Sequence, residues 1–329
     1  MSADENEDPR EVAWHPRFAT SLVGHDAAFD GFKSSFASGR PHHAWLISGP
    51  MGIGKATFAY AVARHVLAQT MDAQQVERWV HARAHPDLVL LERTLNDAKP
   101  KKKLRAEIAV DDVRRFIDFF GRTSGGGGWR VGLVDSADDL NAESANALLK
   151  LVEEPPSKTL ILLVCHAPGK LLRTLRSRCL RLPISALSTE QTQTVLQNLP
   201  IDPAPDEKRL LESASISGGS PGLSLQLVSS EGAKAFHSFV TAKRLDAPMR
   251  SSIGQHFASR ALAVQDFEIF MGLLLDWVAQ RANSQGINSL SVLHAELAKQ
   301  QAVVSGYNLD RRTAVMDALA QLDHALKAA

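Results

Sequence analysis

Apolar residues in the first half of the chain fall in short, nearly unbroken runs: AWLISG (44–49), DLVLLER (87–93), WRVGLVDSA (129–137) and LILLVCHA (160–167). A strand with one wet face alternates apolar and polar positions. Unbroken runs instead fit strands covered on both faces, as in a parallel α/β sheet. CLRLPI (179–184) predicts a fifth strand. Helical spacing occupies 56–67, 110–120 and 141–154, the last stopped by Pro155-Pro156. After Pro183 the strand pattern ends. Ala, Leu and Gln then recur at helical spacing, broken by PIDPAPDE (200–207), GGSPG (218–222) and GIN (286–288). The pattern predicts an α/β parallel-sheet domain over 1–184, a small helical domain over 185–229 and a larger all-helical domain over 235–329. No internal repeat is evident.

Composition narrows the classes. The 329 residues are 44% hydrophobic with a formal net charge of +1, so no global field draws in nucleic acid or an anionic membrane. Any contact with DNA must be local or shared with partner chains. KPKKKLR (99–105) concentrates five positive charges and reads either as a solvated hairpin or as a phosphate-contacting patch. SGGGG (124–128) reads as a flexible loop feeding a strand. The two cysteines, Cys165 and Cys179, are too few for a disulfide framework or a four-cysteine zinc site, and their surroundings suggest buried structural thiols. The start, MSADENEDPREVA, lacks the basic-then-apolar layout of a signal peptide, and no run of about 18 apolar residues could span a bilayer. The expectation is a cytoplasmic chain without membrane contact.

The first chemical signal is GPMGIGKAT (49–57). A phosphate-binding P-loop reads G-x-x-x-x-G-K-[ST], and Gly49, Gly54 and Lys55 fit, with Gly52 inside the turn. The loop follows an apolar strand and opens a helix, where backbone N–H groups and the helix dipole favour phosphate. The next residue should carry a hydroxyl to hold Mg²⁺, yet it is Ala56. Thr57 comes one position late, about 100° further round the helix, and cannot substitute. Asp135, at the end of the 131–134 apolar run, stands where a second metal-organising carboxylate belongs. Asp138 and Asp139 lie beyond the strand end as candidates for a base. His81 and His85, four apart, lack an evident third ligand and read as loop residues, so no metal site is expected.

The stretch NAESANALLK (141–150), then Glu153-Glu154-Pro155-Pro156, a strand, and Ser177-Arg178-Cys179, resembles the clamp-loader branch of the AAA+ proteins. WHPRFATSLVGHDAA (14–28) and HHAWLISGPMGIGK (42–55) share the likeness, as does GGSPG, whereas the last hundred residues resemble the family only in being helical. The resemblance implies an AAA+ P-loop domain, a helical lid and a C-terminal helical collar for oligomerisation. It implies a hetero-pentamer with motor (gamma or tau) subunits and a delta subunit, which loads a sliding clamp on primer–template DNA during replication. It also implies that Arg178 reaches in trans into a neighbour's ATP site as an arginine finger.

Three departures run in one direction. Hydrolysing relatives follow the strand-end aspartate with Glu, but Ser136 stands here; they carry an arginine where Gly222 stands; and Ala56 replaces the hydroxyl residue. The polar residue expected near the end of the fourth strand is Cys165 or His166. The four zinc-binding cysteines of many relatives are missing from 68–107, so no zinc is expected. The leading expectation is a non-hydrolysing clamp-loader subunit whose Lys55 loop holds ATP or ADP weakly, if it holds nucleotide. An active AAA+ motor subunit is the alternative, and a small-molecule P-loop kinase a third reading.

Overall fold

A computed structural model describes residues 8, 10–39, 41–95, 104–125, 127–201, 207–242, 244–258, 263–285, 288–307 and 309–327. In chain order the elements are α1 (Asp26–Phe36), β1 (Ala44–Ser48), α2 (Lys55–Leu67), α3 (Ala73–His81), β2 (Leu88–Glu92), α4 (Val110–Phe120), β3 (Arg130–Asp135), α5 (Ala142–Glu153), β4 (Thr159–Cys165), α6 (Arg173–Ser177) and β5 (Leu180–Pro183). There follow α7 (Thr189–Asn198), α8 (Glu207–Ile216), α9 (Pro221–Ser229), α10 (Glu231–Thr241), α11 (Ala247–Gln255), α12 (Ala263–Gln285), α13 (Asn288–Tyr307) and α14 (Arg311–Lys327). Among the described residues no helix is long and apolar enough to cross a membrane.

All five expected strands form, and they make one sheet in the order β2-β3-β4-β1-β5 with every pairing parallel. Parallel neighbours need crossovers, and helices supply them, which is why both faces of the sheet are covered. Trp45 and Ile47 of β1 join Leu160, Leu162 and Val164 of β4 in one buried layer with α1, α2 and α3. Ala44, Leu46, Ile161 and Leu163 face the other way, into a layer with Val113, Phe116 and Phe120 of α4 and Leu148, Leu151 and Val152 of α5. Gly132 of β3 is set by this packing, since a Cβ there would lie 2.4 Å from the Phe116 ring. The P-loop lies at the C-terminal end of β1, flanked by β4 and β5.

Contacts divide the chain into two compact units, Met1–Glu207 with Ala214–Gly222, and Lys208–Ser213 with Leu223–Ala329. The second unit is helical, built on buried Phe236, Phe239, Phe267, Phe270, Met271 and Leu274. A cavity of about 150 Å³ in it is lined by residues that include Arg209, Leu227, Lys234 and His237.

One sequence expectation changes. His81 is not in a loop but ends α3, whose N-cap Asp72 accepts from the Gln75 N–H. His85 lies beyond it in a buried turn, where its Nδ1 accepts from the Asp87 N–H at 3.1 Å. Among the described residues no group of His, Cys, Asp and Glu could hold a metal ion. Most of the 99–105 basic run lies outside the described residues, as do 126, 202–206 and 286–287 from the other breaks. At the end of that run, Leu104 bridges antiparallel to Leu95 and the Arg105 N–H donates to the Thr94 carbonyl at 2.8 Å.

Candidate functional site

The loop between β1 and α2 turns on glycines: φ is 76° at Gly52 and 96° at Gly54, a region that side chains with a Cβ disfavour. Gly49 lies so close to β5 that a Cβ would sit 2.3 Å from the Ile184 carbonyl oxygen. Lys55 is 3% exposed, and its Nζ donates to the carbonyls of Gly49, at 2.8 Å, and Pro50. Ser220 Oγ donates to the Met51 carbonyl at 3.1 Å, and the Gly222 N–H donates to the Gly52 carbonyl at 2.9 Å. His25 Nε2 lies 2.9 Å from the Ile53 carbonyl oxygen and donates in its Nε2–H tautomer. Each carbonyl from Gly49 to Ile53 therefore meets a donor from this chain.

Burial lowers Lys55 to about 8, against the opposing pull of Asp138, Cys165 and Asp135. The loop and the ends of β3 and β4 thus share one electrostatic neighbourhood. Ala56 and Thr57 are half-buried in the first turn of α2. Asp135 ends β3 in register with Glu92 of β2. Burial pushes its carboxyl up to about 6, helped by the negative charges of Glu92 and Asp139, while Lys55 and Arg93 pull the other way. Glu92 has cationic partners in Arg10, at 3.1 Å, and Arg83, at 2.5 Å.

The candidate bases are otherwise employed. Asp138 accepts from the backbone N–H of His166 at 2.5 Å and of Ala167 at 2.6 Å, which pins the turn after β4. Burial raises its carboxyl, but those two donors together with the His166 charge and the Cys165 thiol outweigh burial and leave it below the ordinary range. Asp139 pairs with Arg93 Nε at 3.0 Å. Of the two candidates at the end of β4, Cys165 is buried and pushed up to about 12 by burial. His166 is half-buried, its Nδ1 has no hydrogen-bond partner, and burial followed by the Lys55 charge lowers its pKa. The other thiol, Cys179, is buried and likewise pushed up to about 12. Neither thiol is poised as a nucleophile.

GGSPG is a contact on the loop, and sequence patterning gives no sign of that. A Cβ at Gly222 would lie 2.9 Å from the Cα of Gly52, and one at Gly219 would lie 2.1 Å from the Leu187 carbonyl oxygen. Gly222, where the resemblance leads one to expect an arginine in hydrolysing relatives, packs on the P-loop backbone.

Arg178 lies elsewhere, at the C-cap of α6. Its side chain is 41% exposed and meets Glu153 Oε1 at 2.8 Å through Nη2, while Nη1 donates to the Thr174 carbonyl at 3.0 Å. Arg176, by contrast, is tied to the Pro168 carbonyl at 2.9 Å. Glu153 is the last residue of α5. Its pairing with a residue 25 positions later leaves no local pattern to read.

Comparison with known proteins bears on the same residues. The family described as "DNA polymerase III, delta subunit" matches 24–188, which spans the loop, Asp135 and Arg178. A Pseudomonas aeruginosa protein named DNA polymerase III subunit delta' is 33% identical over 245 residues, 71% of this chain and 69% of that protein. The Escherichia coli protein of the same name is 35% identical over 205 residues, 60% of this chain and 58% of its own length. The Escherichia coli DNA polymerase III subunit tau is 30% identical over 187 residues, 56% of this chain and 28% of the longer protein.

Proposed function

The chain belongs to the DNA polymerase III delta-subunit family, and from that membership we propose that it acts as the delta-prime subunit of the polymerase's clamp loader. In this reading it does not hydrolyse ATP itself. It joins gamma or tau motor subunits and a delta subunit in a hetero-pentamer, and it offers Arg178 to the ATP site of a neighbouring motor. The assembly places the sliding clamp on primer–template DNA, in the cytoplasm.

The observation that carries the non-hydrolysing part is Lys55, buried and bonded to its own loop. To reach a phosphate, Lys55 would give up two charge-assisted bonds to its own loop, each worth about 1.5–3 kcal/mol. Ala56 offers no oxygen to a metal. Asp135, with a carboxyl near 6, already lies among like charges. These residues do not fit magnesium-bound nucleotide, and ATP or ADP at Lys55 would be held weakly. The loop instead serves as scaffold, fixing β1, α2 and the Gly219–Gly222 turn to one another. The active-motor alternative requires the machinery that Ala56, Ser136 and Gly222 lack.

Arg178 suits the trans role on chemical grounds. Guanidinium is always charged, forked and weakly hydrated, so it can meet an interfacial phosphate. An arginine finger accounts for roughly 10³–10⁵ in rate where its contribution is known. The test is to reconstitute the complex with Arg178→Ala. Assembly should persist while ATP hydrolysis and clamp loading slow, and Lys at 178 should rescue only partly. Wild-type loading by the assembled variant would overturn the finger. ATP turnover by the purified wild-type chain at about one per second, lost in Lys55→Ala, would overturn the non-hydrolysing reading.

A further inference from the structure

An arginine that must meet a phosphate on another chain needs its side chain held before the partner arrives. Free, it carries about 2 kcal/mol of rotamer entropy. Arg178 is exposed at the end of a five-residue helix, yet both terminal nitrogens are engaged, Nη1 by the Thr174 carbonyl and Nη2 by Glu153. Two contacts from different elements fix the plane of the fork and leave its other N–H groups for an oxyanion. Glu153 is itself the last residue of α5 and has 42% of its side chain exposed. That helix end is anchored from the sheet: His43, just before β1, places Nε2 2.7 Å from the Val152 carbonyl oxygen. The Glu154 N–H closes the last turn onto the Lys150 carbonyl at 3.0 Å, and Pro155-Pro156 stops the chain there.

Resting on the trans role above, we propose that Glu153 is the positioning residue for Arg178, holding the guanidinium in the orientation a neighbouring subunit's phosphate requires. Fold stability does not account for the pair. Exposed ion pairs contribute about 0–1 kcal/mol, so replacing Glu153 removes little from the isolated chain. What it removes is orientation, and misplacement of a catalytic group by about 1 Å can cost up to about 10²-fold in rate.

The test uses the full-length chain reconstituted with its partner subunits, comparing wild type, Glu153→Ala, Glu153→Gln, Arg178→Ala and the double variant. Assembly is read by gel filtration and stability by thermal melting of the isolated chain. Glu153→Ala should assemble, melt within about 2 °C of wild type, and lower kcat for ATP about tenfold at an unchanged KM. Gln, whose carbonyl oxygen still accepts from Nη2, should fall between. In the Arg178→Ala background Glu153→Ala should add nothing. Wild-type kcat for Glu153→Ala beside a slow Arg178→Ala overturns the positioning role alone. Wild-type kcat for Arg178→Ala overturns the trans reading and the proposal with it. A large loss of stability or assembly in both Glu153 variants assigns the pair to structure. An equal loss with and without Arg178 shows that Glu153 acts through another group. Each of these last two outcomes also overturns the proposal.

Discussion

At the residue scale Asp135 is a costly group near the loop. Its carboxyl rises from the ordinary 3.8 to about 6 because burial disfavours the charge and Glu92 and Asp139 add repulsion. A raised carboxyl binds more protons in the folded chain than in the unfolded one between those two values. Its stabilising contribution is therefore present below pH 3.8 and is lost as pH rises through 6. Above that the folded state carries a penalty, about 1–3 kcal/mol at a conversion of about 1.4 kcal/mol per unit. Asp135→Asn is expected to raise the melting temperature at pH 7.5 and to flatten the pH dependence between 4 and 6. Denaturant melts of both proteins across that range check it; equal stability at pH 7.5 would show the site tolerates the charge. Lys55 has the complementary sign: burial lowers it from 10.5 to about 8, so the folded chain gains stability as pH rises from 8 to 10.5.

At the scale of elements, the five strands were legible because unbroken apolar runs bounded by glycine and proline admit few other placements. The Val110–Phe120 helix coincides with its sequence range, and α5 follows an Asn141 cap whose side chain accepts from the Ser144 N–H. The helix α3 went unread; it is nine residues long and rich in polar side chains, with Val76 and Val80 its buried contacts. The site was half legible. Motif spacing gives the loop glycines, Lys55 and Asp135, since those positions follow one another along strand and turn. Long-range closures do not show in spacing, and these include His25 on Ile53, Asp138 under the β4 turn, Glu153 on Arg178 and the start of α9 on Gly52. The last is testable. In Gly222→Ala the new Cβ meets backbone rather than a flexible side chain, 2.9 Å from Gly52 Cα and 3.2 Å from its carbonyl oxygen. Overpacking of this kind costs about 1–3 kcal/mol. The expected result is a lower melting temperature with faster amide exchange at position 222, whose N–H bond to the Gly52 carbonyl must lengthen. Unchanged exchange would mean that the turn moves without loosening its hold on the loop.

At the scale of the whole molecule, the sequence divides the chain at a change of pattern near 230, and the family resemblance assigns the helices beyond it to a collar. We propose that 235–329 is required for joining the complex, whereas 1–229 retains the parallel sheet without it. The sheet's two buried layers draw their residues from Phe32 to Ile184, so removing later helices takes nothing from them. A cut at 229 does leave a local scar. Leu227 and Val228 are buried, and with Arg209 and Ser213 they line the cavity that Lys234, His237 and Ser238 of α10 complete. Uncovering two such side chains costs about 1.5–3 kcal/mol each at most, enough to loosen α9 but not to unfold a sheet buried on both faces. The 1–229 fragment should therefore keep a cooperative thermal transition and the near-ultraviolet signal of Trp45 and Trp129, which belong to the sheet and its flank. It should fail to co-purify with the motor and delta subunits. Entry of the fragment into the complex at the full-length affinity would place the assembly determinants in the sheet domain instead. Loss of the cooperative transition would show that the sheet depends on the C-terminal helices. Retained folding with lost assembly is the result that assigns the collar its role.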